Sequence, residues 1–269
     1  MNENFSEIVR LFETSDVVLL GEAHGIHENL KFVIDLIPHL HKAGVKNIAL
    51  EFSCEEMQES SDKLIGSEKY DPQIARDMLF AYNAGWPYIE YQEVHRAVWL
   101  FNQENKANMR VLHPSYIYDW SQWNGERTDE TMQKIMHRGH YNLFRADRIG
   151  AALSRGEKVL GLFGAFHAIR NESPFEIPDW LGTNQTLGQL LNSRYPNRLS
   201  SVCLNKSMEG EWDLHLELSE KLTPCKIDYE YLKGREFSEV IRKWPDPDWT
   251  STPADESDYW MIVESRKLV

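Results

Sequence analysis

The order of three segments near the start of the chain limits its fold more than any other feature. Val17–Leu20 is a short apolar run that stops at Gly21, the length of a buried strand rather than a helix. Residues 25–43 then place Ile26, Leu30, Val33, Ile34, Ile37 and Leu40 at helical spacing, with Pro38 positioned to kink or end the helix. Gly44 reads as its C-cap, and Lys46–Phe52 (KNIALEF) is a second strand-like run. Strand, helix and strand within ~35 residues make a βαβ unit, whose strands run parallel.

The pattern continues along the chain. Residues 54–65, 72–84, 89–105 and 129–154 are predicted helices, the last one long and amphipathic. Met109–His113, Lys158–Phe163 and Leu199–Leu204 are predicted strands, and Thr186–Arg194 a helix. Trp212–Leu218 alternates like a half-exposed strand, 236–243 is helical and Tyr259–Val263 a closing strand. Residues 114–127 and the Pro-rich 244–257 read as loops, and neither marks a domain boundary. The expectation is a single α/β domain over residues 1–269, with a mostly parallel central sheet and helices on both faces. Helical and aromatic cap elements fall over about 55–145.

Composition narrows the function classes. The 269 residues are 42% hydrophobic, enough for a sizeable core. A net charge of -13 argues against a nucleic-acid or anionic-membrane binder, since both need basic surface. The three cysteines, Cys54, Cys203 and Cys225, are too few and too scattered for a disulfide framework. MNENFSEIVRLFETSD lacks a signal peptide's charged-then-apolar order, and no run approaches the ~18 apolar residues of a membrane span. These features predict a reduced, cytoplasmic protein.

Ligands of open parallel sheets sit beyond the carboxyl ends of the strands. The first strand is followed by Glu22, His24 and His27, and the second by Glu51 with Ser53 and Cys54 behind it. The third ends at His113 and the fourth leads to His167. One such histidine is ordinarily a cap or a solvated group. Titratable residues at four ends of one edge are required by no propensity. There is also an internal echo: LLGEAH (19–24) against LFGAFH (162–167), each a strand, a glycine, two residues and a histidine. The glycine permits a sharp turn at positive φ, so two strand–G-x-x-H turns can face each other across a pocket at the carboxyl edge. The titratable groups at these strand ends are therefore expected to mark the rim of one pocket.

Other patterns are weaker. The chain has no G-x-S-x-G elbow, P-loop, GxGxxG, CxxC or HExxH. His137 and His140 (HRGH) read as a solvated pair, His39, His41, His95 and His215 as structural or solvated, Trp99 as core and Cys54 as a small buried residue. Trp86, Tyr88 and Tyr91 introduce one helix, and Tyr116, Tyr118, Trp120 and Trp123 crowd the loop after the third strand. Such aromatics either line an apolar pocket or fill core. Trp86 and Trp120, with His27 and His113, are candidates for substrate contact.

GEAHGIHE (21–28), followed by a helix and the strand end IALEF, resembles the erythromycin-esterase-like family. GLFGAFHA resembles that family's second glycine–histidine strand end, TLGQLLNSRYPNRLSSVCL its late helix and strand, and DYWMIVES its closing strand. The paired turns are also similar to the wider superfamily of ChaN-like haem-uptake proteins and Tiki-type metalloproteases. The resemblance covers most of residues 15–265. It implies essential groups at Glu22, His24, Glu51 and His167, which are then expected to converge in one cleft. The family's Arg-Asn/Asp motif falls on Tyr141-Asn142, so Tyr replaces Arg, and Arg138 or Arg145 supplies the charge from another turn. Asn142 and Arg145 thereby join the substrate-contact candidates. The chain is shorter than the macrolide-inactivating esterases, so a macrolide substrate does not carry over.

Several chemistries suit these residues. In a hydrolase of an ester, lactone or amide, small-molecule or peptide, His24 would be the general base on water, worth ~10²–10⁴ in rate. Glu22 or Glu51 would orient it, and His167 would polarise the carbonyl or assist the leaving group. A metal version makes His24, Glu51 and His167 ligands of manganese, zinc or cobalt, which lowers the pKa of bound water towards ~7. The Tiki-type resemblance favours the metal and the esterase-like one favours metal-free chemistry. The ChaN-like resemblance implies haem with a His or Tyr axial ligand, against which stands the missing signal peptide. A dehydratase or cyclase could use the same groups.

Overall fold

The computed structural model describes residues 3–22, 24, 27–82, 88–170 and 183–204. The elements expected at Trp212–Leu218, 236–243, 244–257 and Tyr259–Val263 lie outside the described residues, as does Trp86. Five strands, β1 (Val17–Glu22), β2 (Val45–Leu50), β3 (Arg110–Leu112), β4 (Lys158–Gly164) and β5 (Leu199–Cys203), form one sheet. Its order is β3-β2-β4-β1-β5, with every neighbouring pair parallel.

The strands read as unbroken apolar runs because both faces of the sheet are covered. Val18, Leu20, Ile48, Leu50, Val111, Leu160, Leu162 and Val202 face one core. That core is closed by α1 (Glu3–Leu11), α2 (His27–Lys42) and α5 (Ile89–Asn105). Val17, Leu19, Ala49, Leu112, Val159 and Phe163 face the other, closed by α7 (Tyr141–Ser154), α8 (Ala165–Ala168) and α9 (Leu187–Arg194). Leu20, Leu36 and Leu40 are fully buried, and truncating any one to Ala is worth ~2–5 kcal/mol. Among the described residues no helix is long and apolar enough to cross a membrane.

Several helices differ from expectation. No helix is expected before the first strand, yet α1 is there and Phe5, Ile8, Leu11 and Phe12 are buried against the first core. Pro38 does not end α2, which runs on to Lys42, and Gly44 at φ +78° follows it as expected. The stretch 54–65 splits into a 3-10 turn, Glu55–Met57, and α3 (Gln58–Gly66). The stretch 72–84 shortens to α4 (Pro72–Ala81), where Asp71 accepts the Gln73 N–H at 2.9 Å. The long helix over 129–154 is two: α6 (Asp129–Ile135) and α7. Gly139 at φ +86° breaks the chain between them, and the His140 side chain caps α7 by accepting the Asn142 N–H at 3.1 Å.

The strand order positions the chemistry. Strand β4 lies between β2 and β1, so the three central strands bring Glu51, Gly164 and Glu22 to one edge.

Candidate active site

Glu22 ends β1 with its side chain buried, and three donors converge on its carboxylate. Asn29 Nδ2 reaches Oε2 at 3.2 Å, while the Tyr91 hydroxyl and His24 Nδ1 reach Oε1 at 3.2 and 3.1 Å. A carboxylate only accepts, so His24 carries its hydrogen on Nδ1. In the neutral ring the lone pair is then on Nε2, 3.9 Å from Glu51 Oε2. The ring packs on Phe52 at 4.7 Å between centroids and its side chain stays 27% exposed. Burial disfavours the charged imidazole, but the hydrogen bond to Glu22 and the charge of Glu51 outweigh it and raise the pKa above 6.5.

Glu51, just past β2, is the hub. Its Oε1 takes Arg145 Nη2 at 3.1 Å and His167 Nε2 at 3.1 Å, and its Oε2 takes the Gly164 N–H at 2.6 Å. Burial by itself would raise its pKa. The charges of His167 and Arg145, the hydrogen bond from His167 and the charge of His24 reverse that and hold the carboxyl well below the usual range. Near neutrality the permanent charge is that of Arg145, because burial lowers the pKa of His167 despite the pull of Glu51. A neutral His167 that donates Nε2–H to Glu51 presents Nδ1 as an acceptor, and this buried atom has no hydrogen-bond partner among the described residues.

Arg145 is buried on α7, one turn beyond Tyr141. Its Nε donates to Ser115 Oγ at 3.1 Å, and Ser115 Oγ donates to the Glu51 backbone oxygen at 2.9 Å. The guanidinium lies over the Tyr141 and Phe163 rings at 5.1 and 5.6 Å. Burial raises the phenol pKa values of Tyr82 and Tyr118, both close enough to feel the Arg145 charge. Arg145 Nη1 is buried and makes no hydrogen bond of its own among the described residues.

Gly164 serves a purpose other than the expected one. Neither it nor Gly21 is among the residues at positive φ, and Gly164 sits at φ -51°. A Cβ on Gly164 would meet His24 Nε2 at 2.7 Å and Cε1 at 3.0 Å. The position is bare so that the His24 ring can rest on the backbone whose N–H holds Glu51.

The structure therefore brings together Glu22, His24, Glu51, His167 and Arg145. It does not bring His113 there. That residue follows edge strand β3 and is buried against His95, at 3.1 Å between Nε2 atoms. Asn142 starts α7 and donates to the Gln185 carbonyl at 3.1 Å, bracing the approach to α9. Arg138 pairs with Glu55 and Glu56 outside the cleft. Trp120 belongs to an aromatic cluster with Tyr116, Tyr118 and Tyr141, whose last two members reach the Arg145 side. His27 opens α2, but its side chain lies outside the described residues. Asn29, Ser115 and Tyr82 carry no site signal in the sequence, and Tyr91 stands out there only as one of the helix-leading aromatics.

The donor set does not suit a metal. Protein N–H donors and a guanidinium already occupy the oxygens of Glu51, and a metal cation would compete with Arg145 for the same charge. Among the described residues no group of three or more His, Cys, Asp or Glu side chains is arranged to hold an ion. The nucleophilic side chains just behind Glu51, Ser53 and Cys54, are committed elsewhere too. Ser53 Oγ donates to Leu50 O at 2.6 Å, and burial pushes the Cys54 thiol up to about 12. A separate cavity of about 410 Å³, lined by Lys46, Asp62, Asn102 and Arg110 among others, borders the amino ends of β2 and β3 and contains none of these groups.

No family model and no curated protein matches the sequence. Solved structures do. RRSP, a MARTX toxin effector domain from Vibrio vulnificus, aligns at TM-score 0.51 and 15% identity over 86% of this chain and 42% of that one. A protein from Bacillus cereus aligns at 0.50 and 13% over 92% and 82%. ChaN of Campylobacter jejuni, described with cofacial heme binding, aligns at 0.48 and 16% over 76% and 86%. This chain thus spans less than half of the toxin structure. The erythromycin-esterase-like resemblance finds no family match, and what the chain shares with the Vibrio vulnificus and Bacillus cereus structures is its α/β fold.

Proposed function

We propose that the chain is a hydrolase that uses His24 as a general base on water, without a metal. The observation that carries this reading is the ionised Glu51, bracketed by two histidines and locked by Arg145 and the Gly164 N–H. Glu22 fixes the His24 tautomer through Nδ1, as a carboxylate does in a catalytic triad, and leaves Nε2 to take the proton. The imidazolium so formed lies between Glu22 and Glu51, and it then gives its proton to the leaving group.

The carbonyl oxygen is assigned to Arg145 Nη1, a buried donor beside the Tyr82 hydroxyl with no hydrogen-bond partner found among the described residues. A preorganised donor at a developing oxyanion is worth ~3–4 kcal/mol. This moves the polarising role expected of His167 onto Arg145. His167 Nδ1, an acceptor, can take a substrate N–H or the second proton of the attacking water. With Ser53, Ser115 and Cys54 otherwise engaged, water attacks directly and no acyl-enzyme forms. The aromatic wall of Phe52, Tyr82, Tyr118 and Tyr141 suits an apolar ester, lactone or amide, and the acidic surroundings disfavour an anionic one.

The test is a panel of nitrophenyl esters, lactones and peptide amides, run with chelator present, on the wild type and His24→Gln. Turnover that survives the chelator, shows no burst and collapses in His24→Gln is expected. Turnover lost to chelator and restored by manganese or zinc would overturn the metal-free mechanism. Product that takes up no oxygen from heavy-oxygen water would reassign the base to a dehydratase or cyclase.

A further inference from the structure

His95 on α5 and His113 after β3 face each other with Nε2 atoms 3.1 Å apart and ring planes at 77°. Each is anchored through its other nitrogen: His95 Nδ1 on the Tyr91 carbonyl at 2.9 Å, His113 Nδ1 on the Cys54 carbonyl at 3.1 Å. A carbonyl oxygen only accepts, so both Nδ1 atoms carry hydrogen and both Nε2 atoms present lone pairs to each other. Changing tautomers does not help. Three close contacts need three hydrogens, and two neutral imidazoles bring two. The pair is short of one positive charge.

An extra proton would supply it but would use only the two nitrogens. The surroundings offer more donors. The rings border a cavity of about 10 Å³, room for one small occupant, whose wall includes Met78 and Gln92. Gln92 lines this cavity, its Nε2 is buried without a hydrogen bond among the described residues, and with the amide turned over its oxygen takes that place. Two nitrogens 3.1 Å apart, each ~2.05 Å from one ion, subtend about 98°, a bent geometry that leaves coordination positions open. Imidazoles oriented by Nδ1–H on carbonyls are the usual form of metal-ligating histidines. Among the described residues no carboxylate or thiolate borders the cavity, so a singly charged ion is cheaper to bury than a doubly charged one. Imidazole with thioether suits copper(I).

We propose that His95 and His113, with Met78 and Gln92, bind one copper(I) ion. The ion lies directly behind the cleft: the backbone that anchors His95 belongs to Tyr91, whose hydroxyl holds Glu22.

Anaerobic titration of the full chain with copper(I), against a chromophoric copper(I) chelator and with zinc(II) in parallel, tests this. One equivalent of copper(I) is expected, with a nitrogen–sulfur signature in X-ray absorption. Binding should be lost in His95→Phe and His113→Phe and retained in His24→Ala and His167→Ala. Met78→Leu keeps the volume, hence the fold, and should weaken binding ~10-fold. The proposal is overturned by no copper uptake, by a preference for zinc, by binding that survives the His95 and His113 substitutions, or by unchanged affinity in Met78→Leu. Loss of binding in His24→Ala would move the ion to the cleft and overturn it equally.

Discussion

His24 and His167 meet across a carboxylate, whereas His95 and His113 meet each other. Both pairs lie near the carboxyl edge of the same sheet. In the first, Glu51 accepts from His167 and faces His24, Glu22 accepts from the other side of His24, and every polar hydrogen has somewhere to go. In the second, burial holds His95 down at about 4 and His113 well below 6.5, with no carboxylate among the described residues in contact to reverse it. An imidazole is therefore a usable base where a carboxylate offsets its burial. Without one it is a neutral ligand or a structural post.

Glu51→Gln tests the comparison most severely. It strips the counter-charge from buried Arg145, and breaking such a pair costs about 3–5 kcal/mol, readable by chemical denaturation. Turnover should fall by at least ~10³, since the acid–base and oxyanion groups lose their common anchor. Next comes His24→Gln, with kcat down ~10²–10⁴ and a melting temperature near that of the wild type. Gly164→Ala should follow, at roughly 10² in kcat, because its Cβ falls 2.7 Å from His24 Nε2 and displaces the ring. His95→Phe should cost ~1–3 kcal/mol of stability through the unpaired Tyr91 carbonyl and His113 nitrogen. If His95→Phe instead lowered kcat as far as His24→Gln does, the two pairs would be one unit and the contrast would fail.

The pH dependence separates the pairs further. The active His24 is unprotonated, so kcat/KM should drop on the acid side of a pKa above 6.5. The stability linkage has the opposite sense. Because folding raises the His24 pKa, its contribution is fully present below 6.5 and is lost as pH rises through the folded value. Glu51, whose pKa is depressed, contributes above about 4.5 and loses this only as pH falls through its lower folded value. Paired activity and denaturation profiles should therefore diverge above neutrality in the wild type, and His24→Gln should abolish the divergence.

Glu22, His24, Glu51 and His167 were legible in the sequence because apolar runs buried on both faces mark where strands end. Strand order is not written there, so His113 looked equivalent to the others although β3 is an edge strand. Arg145 is legible as a substrate-contact candidate and as one of two sources of charge, not as the partner of Glu51. Its choice over Arg138 depends on the start of α7, set by Gly139 and His140 rather than by apolar periodicity, which runs on through the break. Tyr91 and Asn29 reach Glu22 from helices whose rotation against the sheet is a matter of packing. Gly164 was identified for the wrong reason, since a close approach across strands leaves no local trace.

The place of β4 bears on when the chain acquires its chemistry. Strands β1 and β2 are early in the sequence, yet they do not pair with each other, and the gap between them is filled by a segment that follows more than a hundred residues later. The Glu51–Gly164 hydrogen bond spans 113 positions. Such a contact has a high loop-closure cost and forms late. During synthesis on the ribosome, Glu22, His24 and Glu51 are all translated long before anything can gather them. The proposed site is then assembled in one step, with the strand that completes the middle of the sheet.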